Sequence, residues 1–232
     1  MKNMFILLFF LIFSGCAGSS IISPIQHFEN IINSNLFLRA ENGYIGSGTY
    51  LIYHEQPFVL TAAHVLENAE ETEIEVCHIR PYESNMNTDC THIDVHHEMN
   101  IISSPYPAGH DYALVALRER LWSPIPAVVN TEYDLHIGEL IYIVGNPVGY
   151  SNIVSSGVVS GIMTFETGEV PQIWFTDADA YFGSSGGGVY NSEGNLIGYM
   201  HGLSATRFNG IMIPVDGMRQ FTLIRDWYQN EN

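Results

Sequence analysis

Thr176-Asp177-Ala178-Asp179-Ala180-Tyr181-Phe182-Gly183-Ser184-Ser185-Gly186-Gly187-Gly188-Val189-Tyr190 is the stretch on which the reading of this 232-residue chain turns. Ser185 stands near its centre, two residues after Gly183 and directly before Gly186, Gly187 and Gly188. Glycine reaches backbone conformations closed to other residues and lets the main chain approach a ligand with no Cβ in the way. Such a turn aims a hydroxyl and neighbouring backbone N–H groups into one small volume, the arrangement that a serine nucleophile beside an oxyanion hole requires. A glycine-rich surface loop would carry the same letters. The choice between the two depends on whether the chain also supplies a base and an acid.

Two segments do so. Thr61-Ala62-Ala63-His64-Val65 sets a histidine just past an apolar run, among small residues that leave the imidazole room to act as a general base. His110-Asp111-Tyr112-Ala113-Leu114-Val115 sets an aspartate at the head of a strand expected to be buried. An ionised carboxylate there is costly unless it is hydrogen-bonded, and an imidazole N–H is a natural partner. The order along the chain is His, Asp, Ser.

Around these segments the chain is a series of short β-patterned runs: 36–40, 46–53, 58–61, 72–80, 111–117, 139–144, 153–163, 172–175, 187–190, 196–200 and 210–215. His54 to Pro57 reads as a hairpin turn and 81–91 as a polar loop. Helical patterning is confined to a short turn at 24–32 and to 216–228, where Met218, Phe221, Leu223, Ile224 and Trp227 fall near one face. Many short strands with one closing helix predict an all-β barrel or sandwich. The segment 118–138, with Pro124 and Pro126, reads as the junction between two halves.

T-A-A-H, D-x-A-L and G-x-S-G-G in this order resemble the trypsin-like, chymotrypsin-fold serine proteases. Gly145-Asn146-Pro147-x-Gly149, Ser156-Gly157-Val158-Val159-Ser160, Thr176-Asp177-Ala178 and Ile213-Pro214-Val215 are similar to the HtrA/Deg-like branch, and the likeness runs from about Gly46 to Met218. The resemblance implies two antiparallel six-stranded β-barrels with a C-terminal helix over 36–232. It implies a serine endopeptidase in which Ser185 attacks, His64 moves the proton and Asp111 orients the imidazole. The Gly183 and Ser185 N–H groups would form the oxyanion hole. The substrates would be polypeptides, with no cofactor and no metal. Asp179, six residues before the serine, stands where trypsin-like enzymes place the carboxylate of the primary specificity pocket, so it reads either as a selector for Arg and Lys or as a solvated surface acid. Tyr181 is a candidate wall of the same pocket. Ser184 replaces the aspartate of trypsin-type zymogens, which argues against activation by a freshly cut amino terminus. The end of the chain at Asn232 leads us to expect no PDZ module after the protease.

Composition sets further bounds. Twenty-five acidic residues against 8 Lys plus Arg give a net charge of −17, which argues against nucleic acid and anionic membrane surfaces as partners. Residues 1–15 read as a signal peptide, with Lys2 ahead of an apolar run too short to span a bilayer comfortably. Phe13-Ser14-Gly15-Cys16 is similar to a bacterial lipobox, so the expectation is lipidation at Cys16, or otherwise plain secretion, with 16–35 as a leader. That places the protein outside the cytoplasm, in the periplasm or outer membrane as a lipoprotein, or secreted. Cys77 and Cys90 then form an even pair that is either a disulfide or two separate buried thiols. His92, His96 and His97 with Asp94 and Glu98 fit no defensible metal-ligand spacing. A silent peptide-binding envelope protein that keeps the fold is the rival to the enzyme.

Overall fold

The computed structural model describes residues 24–53, 55–67, 73–81, 88–94, 111, 113–117, 119–130, 133–163, 173–203 and 209–214. The expected signal peptide at 1–15, Cys16, the expected helix at 216–228, and His96, His97 and Glu98 lie outside the described residues.

Twelve strands are described. An amphipathic helix, α1 (Pro24–Asn33), comes first and drives Ile31 and Ile32 into the core. β1 (Asn35–Ala40), β2 (Ile45–Tyr53), β3 (Gln56–Thr61), β4 (Glu73–Ile79), β5 (Thr88–Asp94) and β6 (Ala113–Ala116) form one antiparallel sheet in the order β5-β4-β1-β2-β3-β6. A one-turn helix, α2 (Ala63–Glu67), follows β3. β7 (Leu140–Gly145), β8 (Ile153–Met163), β9 (Ile173–Asp179), β10 (Gly188–Tyr190), β11 (Leu196–Leu203) and β12 (Asn209–Pro214) close into a barrel in the order β10-β11-β12-β9-β8-β7. This is the all-β, chymotrypsin-like architecture expected, with one difference. Six strands make up each half, but among the described residues the β5 and β6 edges of the first sheet do not pair, so it is an open half-barrel.

Four local expectations need correction. Residues 88–91 belong to β5 and not to a loop; Thr88-Asp89-Cys90-Thr91 has too few apolar side chains to announce a strand, and its pairing with β4 along seven register positions supplies what propensity does not. Gln56 and Pro57 are already in β3, opposite Tyr53 and Ile52, so the hairpin turn is tighter than His54 to Pro57. β9 and β11 run on to Asp179 and Leu203. His64 sits in a helical turn, α2. Cys77 and Cys90, directly opposite each other in the β4/β5 register, are joined by a disulfide.

The two halves meet along a buried polar seam. β2 is buried at six consecutive positions, Gly46 to Leu51, because one face packs on its own sheet and the other on the second barrel. That second face carries Ser47 and Thr49, both fully buried. The connecting segment is a strap pinned to both halves: Ala127 N–H donates to Tyr50 O, and Leu196 N–H donates to Val128 O. Asn146, of the Gly145-Asn146-Pro147 motif, is wholly buried; its amide donates to Leu36 O at 2.9 Å and its Oδ1 accepts from Asn35 Nδ2 at 2.9 Å. Buried polar groups are tolerable where they find partners, and those of Asn146 lie across the junction.

Candidate active site

Asp111 precedes β6 and is 8% exposed. Its Oδ2 lies 2.5 Å from His64 Nδ1, and its Oδ1 accepts the His64 backbone N–H at 2.8 Å. One carboxylate thus fixes both the ring of His64 and the start of the turn that carries it. Ala62 and Ala63 are buried flat beneath that turn, which is why small residues precede the histidine. Burial alone would push the Asp111 carboxyl up. The close His201 imidazole, the His64 hydrogen bond, the His64 charge and the His64 backbone N–H outweigh it and hold the group well below the usual carboxylate range.

The Ser185 turn is held by shape. Gly183 has φ +94°, and a Cβ there would come within 2.6 Å of Asn146 O. Gly186 has φ +83°, and a Cβ would fall 2.1 Å from Ser47 O and 2.2 Å from Thr61 Oγ1. Neither contact is survivable for a real side chain, so glycine is obligatory on both flanks of the serine. Ser47 ties this turn to the first half: its N–H donates to Ser185 O at 2.8 Å and its Oγ–H to Gly183 O at 2.7 Å. The Ser47 Oγ also accepts from Asn146 N–H, and its carbonyl accepts from Thr61 Oγ1.

Phe182 O accepts from Val148 N–H at 2.7 Å. All peptide bonds are trans, so the N–H of the same Phe182–Gly183 unit points the opposite way, away from the turn at Pro147–Gly149. Among the described residues neither the Gly183 nor the Ser185 N–H has an acceptor in the protein. Ser185, His64, His201, Tyr181, Phe182 and Met200 line one cleft of about 540 Å³. Phe182, 72% exposed, stacks edge-on against Tyr181 at its rim.

Asp179 is not in that cleft. It lines an adjoining pocket with Ile153, Ser155 and Ala180, and the two hollows share Tyr181 and Ser184 as their partition. Sequence reading missed two further groups. Ser47 looked like a strand residue; the only hint was its place between two glycines. His201 carries no sequence signal, yet its Nδ1 lies 2.7 Å from Asp111 Oδ2.

Two β units with an acid–base pair on one, a serine turn on the other and a cleft between them define the trypsin-like peptidase class. The chain belongs to that family: the model of the trypsin-like peptidase domain matches residues 46–198. Within it the chain lies with the HtrA branch. It is 27% identical over 191 residues to mouse serine protease HTRA4, covering 80% of this chain and 35% of that one. It is 28% identical over 172 residues to the serine endoprotease DegS of Haemophilus influenzae, covering 72% of this chain and 43% of that one. The chain therefore spans well under half the length of these relatives. Its fold superposes on the crystal structure of Deg5 with a TM-score of 0.63 at 23% identity, covering 84% of this chain and 90% of that one.

Proposed function

We propose that the chain is a serine endopeptidase acting through an acyl-enzyme, with His64, Asp111 and Ser185 as its triad. The observation that carries this reading is the His64–Asp111 pair, 2.5 Å apart, at the wall of the cleft that Ser185 lines. Ser185 Oγ adds to the scissile carbonyl as His64 Nε2 takes its proton, and the carbonyl oxygen becomes an oxyanion facing the Gly183 and Ser185 N–H groups. The intermediate collapses when His64 returns that proton to the leaving amine. Water, deprotonated by the same imidazole, then cleaves the acyl-enzyme and restores Ser185. Asp111 stays ionised throughout; its depressed affinity for protons suits it to stabilising the imidazolium and not to accepting the proton.

The relatives are serine proteases by name, which supports polypeptides as the substrate class. The signal-peptide pattern at 1–15 and the lipobox-like Cys16 support a protein exported and tethered by lipid, a reading that an unmodified mature amino terminus in mass spectrometry would remove. The deciding experiment is labelling by a fluorophosphonate. The folded protein is expected to label stoichiometrically and Ser185→Ala not at all. A folded, unlabelled wild type would favour the silent peptide-binding protein.

A further inference from the structure

Nothing in the sequence sets His201 apart from the chain's other histidines, and a triad needs only one imidazole. Its place in the fold does set it apart. β11 and β12 pair in register up to Met200 opposite Met212 and resume at Gly202 opposite Ile211, which makes His201 the extra residue of a bulge. A bulge releases one residue from the ladder and re-aims its side chain. Tyr199, two positions earlier, donates its hydroxyl to Asp111 O at 2.9 Å. His201 brings Nδ1 to 2.7 Å from Asp111 Oδ2. One strand of the second barrel therefore grips Asp111 at its carbonyl and its carboxylate together.

Oδ2 is also the oxygen that faces His64, so two imidazoles share one anionic atom, their rings edge to face with centroids 5.8 Å apart. Were His201 Nδ1 bare, its lone pair would oppose those of the carboxylate at 2.7 Å in a site shielded from water, which is untenable. Nδ1 therefore carries a hydrogen. Despite the short contact, Nδ1 makes no well-formed hydrogen bond. The hold on Asp111 is electrostatic more than directional.

We propose that His201 is a positioning residue of the triad, fixing the Asp111 carboxylate from the second barrel and taking up part of the charge that His64 would otherwise meet alone. The proposal rests on the endopeptidase reading above. Without His201 the carboxylate turns more freely and orients the imidazole less well, so the chemical step slows. Without it the whole charge on Oδ2 also falls on His64, and the pH dependence of the reaction changes with it. The titratable groups around His201 among the described residues are His64 from α2, Asp111 ahead of β6, Tyr199 on its own strand, and Tyr44 and Tyr181 across the cleft.

The test compares the full chain with His201→Leu and His201→Asn on one peptide substrate across pH, with active sites counted by fluorophosphonate. In His201→Leu kcat per labelled site is expected to fall about tenfold, the scale on which loss of an orienting partner acts, with KM changed less than about twofold. The acid limb of kcat/KM is expected to move to higher pH. His201→Asn, which keeps a donor but not the ring, is expected to regain part of kcat. A merely structural role would reduce the labelled fraction and leave the limb where it was. An active wild type whose His201→Leu variant keeps both kcat and limb overturns this proposal and leaves the endopeptidase standing. If the wild type is folded and inert, the endopeptidase reading falls first. Nitrogen-15 NMR of the imidazoles then decides the contact: a bare Nδ1 on His201 overturns it, and a protonated Nδ1 supports it.

Discussion

The two halves of the molecule hold their shares of the site by opposite means. The half-barrel positions His64 and Asp111 by side-chain chemistry, with a shared charge and two hydrogen bonds onto one carboxylate. Ser185, carried by the closed barrel, is positioned by exclusion, with a backbone so closely surrounded that a single methyl group has nowhere to go. The first arrangement should fail when charge changes at constant volume, and the second when volume changes at constant charge.

The largest effect is expected at Asp111. Asp111→Asn preserves shape and the acceptor for the His64 N–H but removes the anion, and by the general behaviour of such triads kcat should fall about 10⁴-fold while the unfolding transition stays nearly in place. A collapse of stability instead would mean that the pair is structural. Next is Gly186→Ala, which forces a Cβ into Ser47 O and Thr61 Oγ1 at an unfavourable φ; a loss on the order of 3 kcal/mol is expected, read from the denaturant midpoint. An unchanged midpoint would end the argument from exclusion.

The smallest effect extends the same contrast away from the site. His78, fully buried in β4 and sharing a 2.7 Å hydrogen bond with Ser123 Oγ, is pushed down to about 4 by burial. As pH falls from about 6.5 to about 4 the unfolded chain takes up a proton that the folded one refuses, so stability is whole above this window and declines through it. His78→Gln should flatten that decline in thermal melts taken across that range.

The legibility of the sequence follows the same division. β8 was readable because Ile153 to Met163 is long, β-branched and bounded by turn residues. β5 was not, because its stability comes from its neighbour β4 and a disulfide and little from its own composition. His64, Asp111 and Ser185 stood out because their chemistry is confined to short local patterns. Ser47 and His201 were invisible for a common reason: each acts on a residue far away in sequence, across the junction between the halves. Asp179 shows the reverse limit, since a spacing borrowed from a resemblance offers it as a pocket selector or a surface acid, and the chain sets it in the hollow adjoining the Ser185 cleft.

Ser47 also couples the site to the integrity of the whole molecule. Its main-chain and hydroxyl donors fasten the Ser185 turn to the opposite half, so the turn keeps its full set of ties only while the two halves stay joined.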